Sequence, residues 1–343
     1  MSEIERFQQE YPSLDSYWRA VILFGRNVAT YKFALGKALL TLADEGKTQV
    51  SAEELSIPYA AALCEHLKLE DKQITSRSSS FLNACRQFNS AEISQDQLIQ
   101  VTAAKGFANV LDAFHVVNGI EIPERFFHKR SNSNSSGIIL TDNVFKLRET
   151  VNNQNFDAEI EARWRLVETA WSLNIPANLL TVEYDSELNT LITHDSSLCR
   201  KDITSVRAAL NGYQKGKCFY CFGDIDASDD SGNCDVDHFF PHALQPYTND
   251  NLDGVWNLVL SCPHCNRGAN GKFAKIPEHK YLERLNKRNN FLVNSHHPLR
   301  ETIMRQTGLT DQERTVFLRH QDTWAINLMI HRWHPEYENA PVF

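Results

Sequence analysis

The sequence contains no run of about 18 apolar residues, the length a helix needs to span a bilayer. The densest apolar knot near the start, Ala20 to Phe24, is far too short. A basic opening followed by an apolar segment is missing too. The first fifteen residues carry acids and glutamines, so no signal peptide is expected. Together these absences predict a cytoplasmic chain with no membrane partner. In a reducing compartment the eight cysteines are poor candidates for disulfides, and metal binding is the better reading of any close pair. Positive charge is not in excess either. The 35 Lys+Arg face 43 Asp+Glu, a formal charge of -8 at pH 7. That argues against a broadly sticky nucleic-acid binder, although a local basic groove stays open. The acidity is concentrated in residues 151–200, with 3 basic against 8 acidic side chains, whereas residues 281–343 hold 8 against 7.

With 343 residues and 42% hydrophobic content, the chain can bury a real core, and two domains are the expectation. Residues 1–130 read as helical. Trp18, Val21, Ile22, Val28, Tyr31, Leu35, Leu39 and Leu42 recur at helical spacing, and Gly46 comes next as a C-cap. Ser51 with Glu54, and Ser94 with Gln97, each form a capping-box signature. No catalytic pattern stands out here, so a bundle for docking or architecture is expected. Ser131 to Gly137, Ser-Asn-Ser-Asn-Ser-Ser-Gly, reads as a flexible loop and a domain boundary. Beyond it the pattern predicts a helix over 158–172, a hairpin from Leu179–Tyr184 and Thr190–His194, and a helix over 203–210.

The chemistry is concentrated between Cys218 and Lys272. Cys218-Phe-Tyr-Cys221 and Cys262-Pro-His-Cys265 are two CxxC knuckles, each offering two thiolates from one tight turn. Such a pair of knuckles suits a tetrahedral, structural Zn²⁺. Cys64, Cys85, Cys199 and Cys234 lack partner spacing and read as ordinary thiols. Between the knuckles lie Asp235-Val-Asp237-His238-Phe-Phe-Pro241 and Val255-Trp-Asn257-Leu-Val-Leu260, and Asn266 stands directly after the last cysteine.

The paired knuckles, the Asp-His-x-x-Pro core, the Asn-Leu-x-Leu-x-Cys run and the Cys-Asn step resemble the HNH endonucleases, the ββα-metal or His-Me finger family. The segment Asn294 to Thr302 also resembles the stretch that succeeds the nuclease core in one bacterial subgroup. The resemblance covers about residues 203–305. It implies a metal-dependent hydrolase acting on phosphodiester bonds, with DNA as the expected nucleic acid. In that frame His238 is the general base and Asp237 a ligand to a catalytic Mg²⁺ or Mn²⁺. Asn257 fixes the loop holding the base, and Asn266 completes the metal site, with Asn270 as its rival. A base suits histidine because its unperturbed pKa lies near neutrality. One departure is that the family's lysine three residues after the Cys-Asn asparagine is Ala269 here. Phosphate contacts are then expected from Arg267, Lys272 and Lys275, with Arg284, Lys287 and Arg288 as a further basic run. His242 reads as structural, His264 as a solvent-facing turn residue, and His296 and His297 as packing or supporting residues.

The expected fold is therefore mainly α with a small α+β part. A helical region, 1–130, precedes a linker with helix and hairpin, 131–200, the zinc-stapled nuclease domain, 201–280, and a helical extension, 281–343. A chain with one nuclease domain and no evident target reader suggests a protein partner such as an ATPase or helicase, in an anti-phage or restriction setting by analogy. The alternative is a non-catalytic zinc module or adaptor that docks a partner through its helical half.

Overall fold

The computed structural model describes residues 13–24, 28–75, 79–117, 119–132, 135–150, 153–172, 182–194, 200–227, 232–295 and 297–343. The described residues divide into two compact units, one within Pro12–Ser172 and the other within Leu173–Phe343. Both are mainly helical with small sheets. No helix among the described residues is long and apolar enough to cross a membrane.

The first unit contains α1 (Leu14–Leu23), α2 (Tyr31–Asp44), α3 (Ala52–Leu69), α4 (Ser80–Asn89), α5 (Gln95–Lys105), α6 (Val110–Ala113), α7 (Asp142–Arg148) and α8 (Gln154–Ser172). The single helical run suggested by residues 16–43 is two helices, α1 ending at Phe24 and α2 beginning after Thr30. The side chains that start several of these helices are polar caps. Ser13 and Ser79 each accept a backbone N–H, and Ser51–Glu54 and Ser94–Gln97 form complete capping boxes. The core gathers Trp18, Phe33, Tyr59, Phe81, Phe126 and Trp164. Charge is buried here as well. Arg19 gives two hydrogen bonds, 2.8 and 2.9 Å, to the Glu159 carboxylate.

The serine-rich stretch is not a boundary. Its described residues, 131–132 and 135–137, belong to β4 (Phe127–Asn132) and β5 (Ser135–Leu140), which pair antiparallel with Ser131 opposite Ser136. The outer edge of β5 pairs with β1 (Gln49–Ser51). Gly137 is a point of close approach between β5 and β1: a Cβ there would sit 2.2 Å from the Val50 carbonyl oxygen. Its glycine thus serves packing rather than chain freedom. Two short strands, β2 (Val116–Val117) and β3 (Ile120–Glu121), pair with each other.

The second unit opens, in its described part, with an antiparallel sheet of β6 (Glu183–Asp185), β7 (Thr190–His194) and β8 (Arg200–Ser205). Of the expected hairpin, Thr190–His194 is a strand as read and pairs with Glu183–Asp185, while residues 179–181 of the first arm lie outside the described residues; a third strand extends the sheet. Next come α9 (Val206–Gln214), β9 (Asp235–His238), β10 (Leu258–Ser261) and α10 (Pro263–Arg267). Two 3-10 turns, His242–Tyr247 and Val255–Asn257, lie between β9 and β10. The C-terminal part supplies β11 (Ile276–Pro277), α11 (His279–Asn294), α12 (Arg300–Thr307), α13 (Asp311–Met329) and β12 (Arg332–Trp333), with β11 and β12 parallel. Trp256 joins the turn before β10 to this helical layer, its ring 5.0 Å from Phe317 of α13.

Candidate metal centre and active site

The β9–β10 hairpin organises the site. Its register sets His238 opposite Leu258 and Asp235 opposite Ser261. Each strand end then runs into a functional segment: β9 ends at His238, and β10 leads directly into Cys262.

The four cysteine sulfurs of Cys218, Cys221, Cys262 and Cys265 lie within 4.8 Å of one another. Cys221 Sγ and Cys262 Sγ are 3.8 Å apart, and a tetrahedron with metal–sulfur bonds of about 2.3 Å has edges near 3.8 Å. Local backbone geometry builds each knuckle. In the first, Phe222 takes a left-handed conformation at φ 56°, Cys218 N–H bonds to Gly223 O, and Gly223 N–H points at Cys221 Sγ. In the second, Cys262 is the N-cap of α10 with Pro263 at its first position, and Cys265 N–H donates to Cys262 Sγ. The Phe219 N–H to Leu260 O bond, 2.9 Å, ties one knuckle to the strand leading into the other. Crowding among the thiols holds Cys262 well below the ordinary cysteine range, through hydrogen bonds from Cys218, Cys221 and Cys265. Cys64, Cys85 and Cys234 are buried and lie outside this cluster; Cys199 falls outside the described residues.

Asp237 and His238 point to opposite faces of β9, as adjacent strand residues must. Asp237 is only 6% exposed. Its Oδ2 accepts from Tyr220 OH at 2.6 Å, and its Oδ1 accepts from Lys272 Nζ at 3.1 Å. Lys272 is fully buried and also donates to the His238 carbonyl oxygen at 2.7 Å. Burial depresses the lysine's pKa against the opposing pull of Asp237. The same surroundings, burial first and then the Asp237 charge, push Tyr220 well above the usual phenol range. The chain reaches this point by doubling back after α10, where Lys272 N–H bonds to Cys265 O.

His238 faces the other way and keeps 17% of its side chain exposed. Its Nε2 lies 2.8 Å from Asp253 Oδ1. The second oxygen of Asp253 lies 3.4 Å from His242 Nε2. The Tyr184 ring, from β6, sits 5.9 Å from the imidazole. Asp253 is a functional candidate that no motif in the sequence marks; its only signal there is an acid four residues before Asn257.

Asn257 is completely buried and makes three hydrogen bonds. Its Oδ1 accepts from Phe240 N–H at 2.8 Å, and its Nδ2 donates to Phe240 O at 2.9 Å and to Leu252 O at 2.8 Å. One side chain therefore clamps the segment after His238 to the segment before Asp253.

Asn266 lies on α10 but turns to Asp235, giving its Nδ2–H to Asp235 Oδ2 at 3.1 Å. Arg267 gives its Nε–H to the same oxygen at 2.9 Å. Asn270 bonds to Glu336 instead. Both oxygens of Asp237 thus accept hydrogen bonds, one of them from the Lys272 ammonium, while Asn266 commits its amide nitrogen to Asp235. With its charge already matched by a buried ammonium, Asp237 is a poor ligand for a divalent cation.

The expected phosphate contacts separate by burial. Arg267 and Lys275 are exposed. Lys272 is not: the reading of it as a surface contact is corrected by its full burial beneath β9. The basic run on α11 is structural in part. Arg288 is buried and donates to the carbonyls of Leu258, Val255 and Trp256, while Arg284 donates to Phe219 O and Tyr220 O and stacks 4.1 Å above Phe222. His264 is exposed, His297 is buried, and His296 falls outside the described residues. No family model matches the chain, and no curated protein or solved structure matches it.

Proposed function

We propose that this chain is an endonuclease of the HNH type that hydrolyses phosphodiester bonds in DNA, with His238 as general base. The observation that carries the reading is the position of His238. A partly exposed imidazole, backed by a carboxylate, stands at the end of a hairpin strand whose partner strand leads into a four-cysteine cluster. Zinc is the proposed occupant of that cluster. Four thiolates at tetrahedral spacing suit Zn²⁺, and the ion would staple the two knuckles that support the hairpin.

In this reading His238 takes a proton from water, and the resulting hydroxide attacks phosphorus opposite the leaving oxygen. Asn257 keeps the loop in register and touches neither water nor substrate. Arg267 and Lys275 are the proposed phosphate contacts at the rim. The family resemblance adds a catalytic Mg²⁺ or Mn²⁺ on Asp237 and Asn266. Asp237 is already paired with the buried Lys272 ammonium, so no step is assigned to that ion. A protein partner such as an ATPase or helicase, and a role in anti-phage defence, rest on analogy with the family alone.

The test is the purified chain on plasmid DNA and on RNA, with Mg²⁺, Mn²⁺ or EDTA, beside His238→Ala. The expected outcome is cleavage of DNA by the wild type and none by the variant. Equal cleavage by both would remove His238 from the chemistry. No cleavage under any condition would favour the zinc-module reading.

A further inference from the structure

We infer that Asp253 is a positioning residue that fixes the tautomer of His238, so that Nε2 carries the proton and Nδ1 offers the lone pair. The inference rests on the proposed role of His238 as a base. Its physical argument is independent of cleavage.

Asp253 is held as a carboxylate. The hydrogen bond with His238 comes first in keeping its pKa below the ordinary aspartate range, and His242 adds to this. An ionised carboxylate can only accept hydrogen bonds. At 2.8 Å from Asp253 Oδ1, His238 Nε2 must therefore be the donor. In a neutral imidazole the proton sits on one nitrogen, so the lone pair falls to Nδ1. No hydrogen bond engages Nδ1 among the described residues, and the ring keeps part of its surface open. The nitrogen left without a hydrogen bond among the described residues is thus the basic one.

The loop is built to hold this geometry. Asp253 N–H bonds to Asn251 Oδ1 at 3.0 Å, Gly254 N–H to Asn251 O at 3.1 Å, and Trp256 Nε1–H to the same carbonyl at 3.1 Å. Asn257 clamps Leu252, next to Asp253, and Phe240, two residues beyond His238. The groups that face the Asp253 carboxylate are therefore His238 from β9 and His242 from the 3-10 turn, with the Tyr184 phenol across the ring from β6. His242 is over half exposed and shares the second oxygen. It supports the carboxylate, and its ring centroid lies 5.4 Å from that of His238.

The experiment uses the full chain carrying ¹⁵N-labelled histidine, with His238→Gln to assign the resonance. Two-bond and three-bond ring correlations at a pH where His238 is neutral distinguish the tautomers. The wild type should show the Nε2–H form. Asp253→Asn, whose amide can donate, should move the population toward Nδ1–H, and Asp253→Ala should leave a mixture. His242→Gln should keep the wild-type pattern. Where DNA is cleaved, Asp253→Asn should lower the rate by ~10²-fold or more, the scale of a mis-set general base, with zinc content and circular dichroism unchanged. A wild-type Nδ1–H form, or a pattern that ignores both Asp253 substitutions, overturns the inference. So does undiminished cleavage by Asp253→Asn. If the wild type cleaves nothing while the tautomer responds as described, the nuclease reading falls and the positioning by Asp253 stands.

Discussion

Lys272 Nζ lies 3.1 Å from Asp237 Oδ1 and 2.7 Å from the backbone oxygen of His238, and both charged side chains are buried. One ammonium thus neutralises the carboxylate that the family resemblance casts as a cation ligand, and it anchors the backbone of the proposed base. Asp237 is a framework residue in this arrangement, held from its other side by Tyr220.

Removing one member of a buried pair leaves a charge without compensation, which typically costs ~3–5 kcal/mol. Lys272→Met and Asp237→Asn should each destabilise the second unit, the lysine substitution on that scale. The double variant Lys272→Met/Asp237→Asn should cost less than the sum of its singles, because neither charge is then stranded. Urea unfolding of the full-length variants measures all of these. Since Asp237 already has its cation, millimolar Mg²⁺ should leave the wild-type unfolding midpoint unchanged. A clear rise would show that the ion binds and that Lys272 yields to it.

The four-cysteine cluster predicts one Zn²⁺ per chain. Substituting Cys218 or Cys265 by serine should abolish stoichiometric zinc in elemental analysis. Chelation should unfold the second unit while the helical unit keeps its circular dichroism, because the thiolates all lie in Leu173–Phe343. Recovery of metal-free protein with unchanged stability would contradict this.

The sequence revealed those features whose determinants are local. Two CxxC turns, two capping boxes, the β6–β7 hairpin and the strand at Asp237-His238 each depend on residues a few positions apart. What it hid depends on the return of the chain. Lys272 reads as a surface cation until the loop after α10 folds back under β9. Asp253 reads as loop polarity until the turns before β10 bring it to His238, fifteen residues away. Ser131–Gly137 has linker composition, yet pairing with β1 and the close approach at Gly137 turn it into a sheet. Asn266 sits on the expected helix, but the hydrogen bond from its amide nitrogen to Asp235 has no signature in spacing.

In the helical unit, stability should depend on pH through His66. Burial lowers its affinity for a proton, but hydrogen bonds to Glu161 and Glu168 outweigh that and raise its pKa above 6.5. The imidazole also lies flat against Trp164, with ring centroids 3.5 Å apart. A group whose folded pKa is raised contributes stability that is complete below its unfolded value, about 6.5, and is lost as pH rises through the folded value. Melting of the full chain should therefore show the helical unit less stable at pH 8.5 than at pH 6. His66→Gln should flatten that slope. A slope that survives the substitution would assign the effect to another group.

Asn257 offers the sharpest separation between its own alternatives. Its amide serves one N–H and two carbonyls in a fully buried site, so its loss removes three hydrogen bonds at ~1 kcal/mol each and strands the groups they served. Asn257→Ala should destabilise the second unit by about 3 kcal/mol. Asn257→Asp should be worse although it is nearly isosteric. The carboxylate keeps the acceptor for Phe240 N–H, but it places a second oxygen against the carbonyls of Phe240 and Leu252, where the amide had donated. Both carbonyls lose their partner, and a negative charge is added to a fully buried position. In both variants the arm carrying His238 and the arm carrying Asp253 should come apart together. Histidine resonances of His238 and His242 should broaden or shift as a pair, while the zinc stays bound. A stable Asn257→Asp protein with unperturbed histidine resonances would show that the two arms are held by something other than this side chain.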